Sequence, residues 1–258
     1  MPARLLWDNW FDDADLTASS ATFRGAASNL QDDLLSRVWQ TGNSTAAETL
    51  VIDLGSAMTP TVFAAVAHTL TSGDSLIKLQ GHSSDSWGSP TVNETITFTA
   101  DKLIHYIASP QALRYWRFIF TKSSAGERRR FGRMFLGPYF EPSRAIDQGG
   151  FVIQPVDLSV TSRSIGGPTW TDIRPKIEQV RVEFSTAAQA TYDEFKDMVD
   201  AMGTSIPVWL AADPTNYPAE WLWFGKLSNL RERVHRYYGG SGTDHLWDLA
   251  LELTEEPF

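Results

Sequence analysis

Short apolar runs, each broken by glycine or turn-forming residues, set the pattern of the first half of the chain. Leu50–Leu54 is an unbroken run that suits a buried strand and closes on Gly55. Ala64–Leu70 and Leu76–Gln80 follow, with Thr71-Ser72-Gly73-Asp74 as the turn between them. Glu94–Thr99 alternates and is rich in threonine and isoleucine. Tyr115–Phe120 and Arg133–Leu136 complete a set of short strands with no sustained helical periodicity, which predicts a β-sandwich.

The second half has a different rhythm. Lys176–Ser185 alternates strictly, with Val180, Val182 and Phe184 on one face and Arg181 and Glu183 on the other. A helix over 187–202 is predicted next. Thr186 and Gln189 have capping-box spacing, Tyr192, Phe195, Val199 and Met202 recur at helical spacing, and Gly203 suits the C-terminus. Strands are expected at Ile206–Ala211, Glu220–Phe224, Lys226–Arg236 and His245–Thr254, with a hairpin around Gly225. In the last strand Trp247, Leu249, Leu251 and Leu253 share a face. Between the halves, Gly137-Pro138-Tyr139-Phe140-Glu141-Pro142 and Asp147-Gln148-Gly149-Gly150 form a Pro/Gly-rich joint, giving expected domains of 1–144 and 145–258. The predicted class is mainly β: a sandwich followed by a β-rich domain with one flanking α-helix.

Several of these segments, in order, resemble a discoidin-type, galactose-binding-like β-sandwich. They are Asn29-Leu30, Val38-Trp39, the Leu50–Gly55 and Leu76–Gly81 runs, Arg114–Phe120 and Gly132–Gly137. Domains of that kind recognise surfaces and carbohydrates and catalyse nothing. The second half, through the 176–185 strand, the 187–202 helix, the stretch from Asp157 to Arg163, Gly166-Gly167 and Arg174-Pro175, resembles the ring-forming domain of phage distal tail and tail-tube proteins. Together the two resemblances imply a non-enzymatic structural protein of a phage tail tip or baseplate. It would be a homohexamer around the DNA channel, with tube, hub and tape-measure proteins as partners, made in the host cytoplasm and located in the virion. The competing reading is a host-surface glycan-binding adhesin, and a second competitor is a glycan-active enzyme carrying the sandwich as a binding module.

Charge and composition narrow this further. The net charge of −9 disfavours nucleic-acid binding over the whole surface. Residues 1–144 carry 13 Lys/Arg and 14 Asp/Glu, whereas residues 145–258 carry 9 and 17, so the acidic surplus sits in the second half. With no cysteine, disulfides and thiolate chemistry are excluded. No signal peptide is legible at the N-terminus, and no apolar run is long enough to insert in a membrane.

Four constellations carry candidate chemistry. His82, Asp85 and Trp87, in a serine-rich loop after a strand, have the make-up of a sugar-binding loop: an aromatic face for the ring and polar groups for hydroxyls. Arg128, Arg129 and Arg130, with Arg133 nearby, form a basic run suited to phosphate, sialic acid, an acidic partner or ion pairs at a subunit interface, or to a solvated loop. Asp12-Asp13-Ala14-Asp15 offers oxygen ligands to calcium without EF-hand spacing; otherwise no metal or cofactor is expected. Trp209, Trp221, Trp223 and Trp247 fall on three expected strands, as core or as subunit interface, and Trp221 and Trp223 share a face if their stretch is a regular strand. The five histidines have no metal-ligand spacing, and Ser75 and Lys78 point to opposite faces of a strand, which rules out a serine–lysine nucleophile.

Overall fold

A computed structural model of the chain describes residues 2–229, 234–237 and 245–257. By its contacts the chain divides into two units: residues 8–139 with 215–222, and residues 1–7 with 140–214 and 223–257. The opening strand Arg4–Leu6, grouped by sequence with the first half, belongs to the second unit, where it pairs with Val208–Ala211.

The first unit is a β-sandwich. Its larger sheet has five antiparallel strands in the order Asp15–Ala18, Ala47–Met58, Leu113–Thr121, Ser75–His82, Val92–Thr95. The smaller sheet has the order Arg133–Gly137, Val62–Val66, Lys102–Tyr106. Period-two alternation makes the larger sheet two-faced. Leu50, Ile52, Leu79, Trp116, Phe118 and Phe120 are buried, and they share one core with Phe63, Ala65, Leu103, Met134 and Leu136 of the smaller sheet. Val62–Val66 and Arg133–Gly137 are buried along their whole lengths, as the apolar runs Val62–Val66 and Met134–Gly137 require. Aromatic rings tie the core together. Phe63 stacks on Phe118 at 5.2 Å and Trp39 on Phe131 at 5.3 Å, while Phe131 meets Phe118 edge-on at 5.5 Å.

Charges taken into this unit are matched. Lys122 and Glu48, both fully buried, pair at 2.9 Å. Lys122 also donates to the Gly42 carbonyl, and Ser19 and Ser20 donate to the second oxygen of Glu48. Burial pushes the Glu48 carboxyl up, but hydrogen bonds from Ser20, Lys122 and Ser19 outweigh it and hold the group below its usual range.

The second unit is a β-sheet covered on one face by a single helix. The sheet order is Arg4–Leu6, Val208–Ala211, Leu222–Asn229, His245–Glu255, Lys176–Ala188, Phe151–Asp157, and Val234–Tyr237 also pairs with His245–Glu255. Val180, Val182 and Phe184 are buried together with Leu249, Leu251 and Leu253. The helix Gln189–Met202 packs on those two strands through Phe195, Met198 and Val199. Tyr192 lies at the margin, stacked on Trp247 at 3.8 Å, and Met202 is half-buried. Gly203 closes the helix with a positive φ of 55°.

Three local expectations change. The capping box does not form: Ala188 is the N-cap, and Ser143 supplies the hydroxyl that its amide meets, at 3.3 Å. Gly225 is mid-strand rather than at a hairpin; a Cβ there would lie 2.1 Å from the Thr254 carbonyl oxygen, so only glycine permits this approach of neighbouring strands. The expected strand Lys226–Arg236 runs as far as Asn229, and its residues 230–233, like Tyr238, lie outside the described residues.

Two measurements check this account. Phe195→Ala should cost about 3–5 kcal/mol in chemical denaturation, since it opens a cavity under the helix; a loss below about 1 kcal/mol would place Phe195 outside the core. His68 is buried beside Phe98 and Phe131, and burial lowers its pKa to about 4, against the opposing charge of Asp101. The unfolded chain therefore takes up a proton that the folded chain refuses. Stability should fall by about 3 kcal/mol as pH drops from about 6.5 to about 4, with the His68→Gln variant losing that part of the slope. An NMR titration placing the His68 midpoint near 6.5 would contradict this.

Candidate functional site

Three strands of the five-stranded sheet present a row of polar side chains on the face opposite the core. The register sets Gln80 opposite Arg117 and, on its other side, opposite Asn93. His82 stands opposite Tyr115, and Lys78 opposite Ile119, on the same face. Arg117 points outward because Trp116, Phe118 and Phe120 point inward.

The row is wired together. Nε and Nη2 of Arg117 both donate to Gln80 Oε1, Nε at 2.9 Å. Gln80 Nε2 donates to Asn93 Oδ1 at 3.0 Å. At the end of the Ser75–His82 strand, Gly81 lies flat on the core, where a Cβ would be 2.9 Å from both Leu113 Cδ1 and the Trp116 ring. The chain then leaves the sheet as the Ser83-Ser84-Asp85-Ser86 turn, in which the Ser86 amide donates to the Ser84 carbonyl. The Ser84 amide donates to His82 Nδ1 at 3.1 Å, which fixes the imidazole at the base of the loop. Trp87 is held from two sides. Its Nε1 donates to Asp85 Oδ1 at 2.7 Å, and the Arg117 guanidinium lies 4.5 Å from its ring centroid. The indole is half-buried and Asp85 is exposed. Partial burial lowers the Arg117 pKa, against the charge of Asp85.

The structure thus brings the sequence candidates His82, Asp85 and Trp87 into one loop and adds Gln80, Asn93 and Arg117 beneath it. The alternation of residues 113–121 already turned Arg117 outward; nothing in the sequence gave the register that places it under Trp87.

The other candidates fall elsewhere. Arg129 is buried in a bidentate pair with Asp74 at 2.7 and 2.9 Å and also meets Glu127 and Ser123. Arg133 is buried against Asp12 at 2.7 Å and the Leu30 carbonyl. Only Arg128 and Arg130 of the basic run are exposed, so it is no continuous cationic patch. Of the acidic run, Asp12 is turned to Arg133 and Asn9; burial nonetheless raises its pKa. Among the described residues no cluster of three or more His, Cys, Asp or Glu could hold a metal.

Among the tryptophans, Trp209 and Trp223 are core residues. Trp209 packs on Phe224 at 4.9 Å, and Trp223 donates to Glu178 at 2.6 Å. Trp247 is half-buried against Tyr192 and donates to Gln189, and Trp221 stacks on Tyr217 at 4.8 Å. The strand begins at Leu222, so Trp221 lies outside it and the shared face expected for Trp221 and Trp223 does not arise.

No family model and no curated protein matches the chain. Solved structures do resemble it. A carbohydrate-binding module, CpGH89CBM32-6, produced by Clostridium perfringens is 17% identical, with a TM-score of 0.41, over 50% of this chain and 98% of that one. Chitosan-binding module 1 from a chitosanase/glucanase of Paenibacillus sp. IK-5 is 19% identical, with a TM-score of 0.40, over 50% and 97%. The lectin domain of lectinolysin, complexed with Lewis B antigen, is 14% identical, with a TM-score of 0.41, over 51% and 96%. The architecture is mainly β, with a sandwich and a β-rich region carrying one helix.

These findings correct the phage tail reading. The homohexameric ring and its DNA channel, the tube, hub and tape-measure partners, and the virion tail tip followed from the two resemblances taken together, and none of them stands. The strand–helix–strand order behind that resemblance is a general way of covering one sheet face with a helix, and does not encode a ring.

Proposed function

We propose that the sandwich unit is a glycan-binding module whose ligand sits on the 82–87 loop and the polar row beneath it. One observation carries this reading: a half-exposed indole, fixed in place by Asp85 and Arg117, stands beside Gln80, Asn93 and His82. Sugar recognition needs that combination. The C–H face of a pyranose packs on an aromatic ring, and amide and imidazole groups exchange hydrogen bonds with its hydroxyls. Because the row stands on three paired strands, its groups are positioned before any ligand arrives, which limits the ordering cost of binding. The module binds and releases its glycan unchanged.

The test is a panel of immobilised plant, bacterial and animal polysaccharides, followed by calorimetry on those retained. Trp87→Ala should weaken binding by about tenfold or more, as removal of an aromatic contact predicts, without lowering the melting temperature. Equal binding by the variant, or no retention of the wild-type protein by any polysaccharide, would overturn the proposal.

A further inference from the structure

We infer that the glycan taken at this site is an acidic one, whose carboxylate is received by Arg117. The inference rests on the glycan-binding reading above and names the class of sugar.

Its basis is how this chain treats its arginines. Among the described residues, every arginine that is not exposed has a carboxylate within salt-bridge distance, with one exception. Arg4 meets Glu141, Arg114 meets Asp53, Arg129 meets Asp74, Arg133 meets Asp12, and Arg181 meets Glu183. Arg117 is the exception: where the others have an acid it has the neutral amide oxygen of Gln80, which takes both Nε and Nη2. The described residues offer its Nη1 no hydrogen-bond acceptor. Asp85, the nearest acid in the loop, is engaged by the Trp87 indole and lies beyond salt-bridge reach of Arg117.

A guanidinium that has lost part of its water without gaining an anion is an incomplete pair. A carboxylate completes it with charge-assisted hydrogen bonds in a planar geometry that ammonium groups do not reproduce. The surroundings favour the same sign. Lys78 lies on the same face two positions along, and Gln80, Asn93 and Thr95 beside it are neutral. Glu94, the acid of the neighbouring strand, is turned away and pairs with His105. Non-specific attraction does not account for such a preference, since the chain as a whole carries a net charge of −9.

The probes are polygalacturonate, alginate and a sialylated glycoprotein, each beside a control lacking the charge: the carboxyl-reduced polymers and the desialylated glycoprotein. Wild-type protein should bind at least one acidic probe about tenfold or more tighter than its uncharged control, as a charge-assisted contact predicts. Arg117→Gln should reduce binding of that probe to the level of the control, and Arg117→Lys should recover only part of it. Trp87→Ala should weaken both members of the pair. Circular dichroism melting verifies that each variant is folded; should Arg117→Gln fail to fold, the wild-type comparison of acidic probe with uncharged control still decides. Equal binding of the two, or an Arg117→Gln variant that keeps the acidic preference, overturns the assignment of an acidic ligand and leaves glycan binding standing. Absence of binding to every probe, charged or neutral, overturns both.

Discussion

Residues 113–121 cannot turn Trp116, Phe118 and Phe120 into the sandwich without turning Arg117 out of it. The strand is the middle one of five, so its inward rings are the centre of the core and its outward arginine is the centre of the opposite face. A slip of one residue would bury a guanidinium and expose three aromatic rings, a cost far larger than any local turn preference. The register that protects the core therefore also fixes the site. Gln80 and Asn93 are held in line with Arg117 by backbone pairing, and the Trp87 loop begins where the Ser75–His82 strand ends.

The same sandwich admits charges only in matched sets. Lys122 and Glu48 are both sealed from water, and Ser19, Ser20 and the Gly42 carbonyl satisfy the remaining valences. Arg129 and Asp74 form a bidentate pair, and Arg133 is shared by Asp12, Asp33 and the Leu30 carbonyl. Pairs of this kind add little net stability compared with apolar replacements, but breaking one leaves a buried charge uncompensated, which costs about 3–5 kcal/mol. Against that background the partial pairing of Arg117 by a neutral amide stands out as a place where stability has not been maximised, as binding sites tend to be.

Much of the fold was legible from residue pattern alone. The apolar runs near 50, 64, 77, 116 and 134 are strands, the stretch 189–202 is a helix ended by Gly203, and Val180, Val182 and Phe184 face inward. What depended on partners distant in sequence was not legible. The helix N-terminus is met by Ser143 rather than by its own capping residue, Gly225 answers to the carbonyl of Thr254 on the neighbouring strand, and the strand at Arg4–Leu6 pairs with Val208–Ala211. For the proposed site, residue chemistry named His82, Asp85 and Trp87 as candidates. It misread the arginine run, because exposure is set by where Asp74 and Asp12 lie in space, and it did not name Arg117, whose position beneath Trp87 follows from strand register. The tail-ring reading failed for a related reason: a succession of elements fixes neither the assembly nor the partner.

Ligand contact at one loop of one sheet is directly observable, because the chain's ten indole N–H groups report on it. In a nitrogen-15-labelled NMR titration with an oligosaccharide from a retained polysaccharide, the Trp87 indole resonance and the Arg117 Nε resonance should move together and saturate with one binding constant. The core indoles of Trp116 and Trp223 should stay in place. Saturable shifts that spare Trp87 and Arg117 and fall instead on residues of the second unit would contradict it.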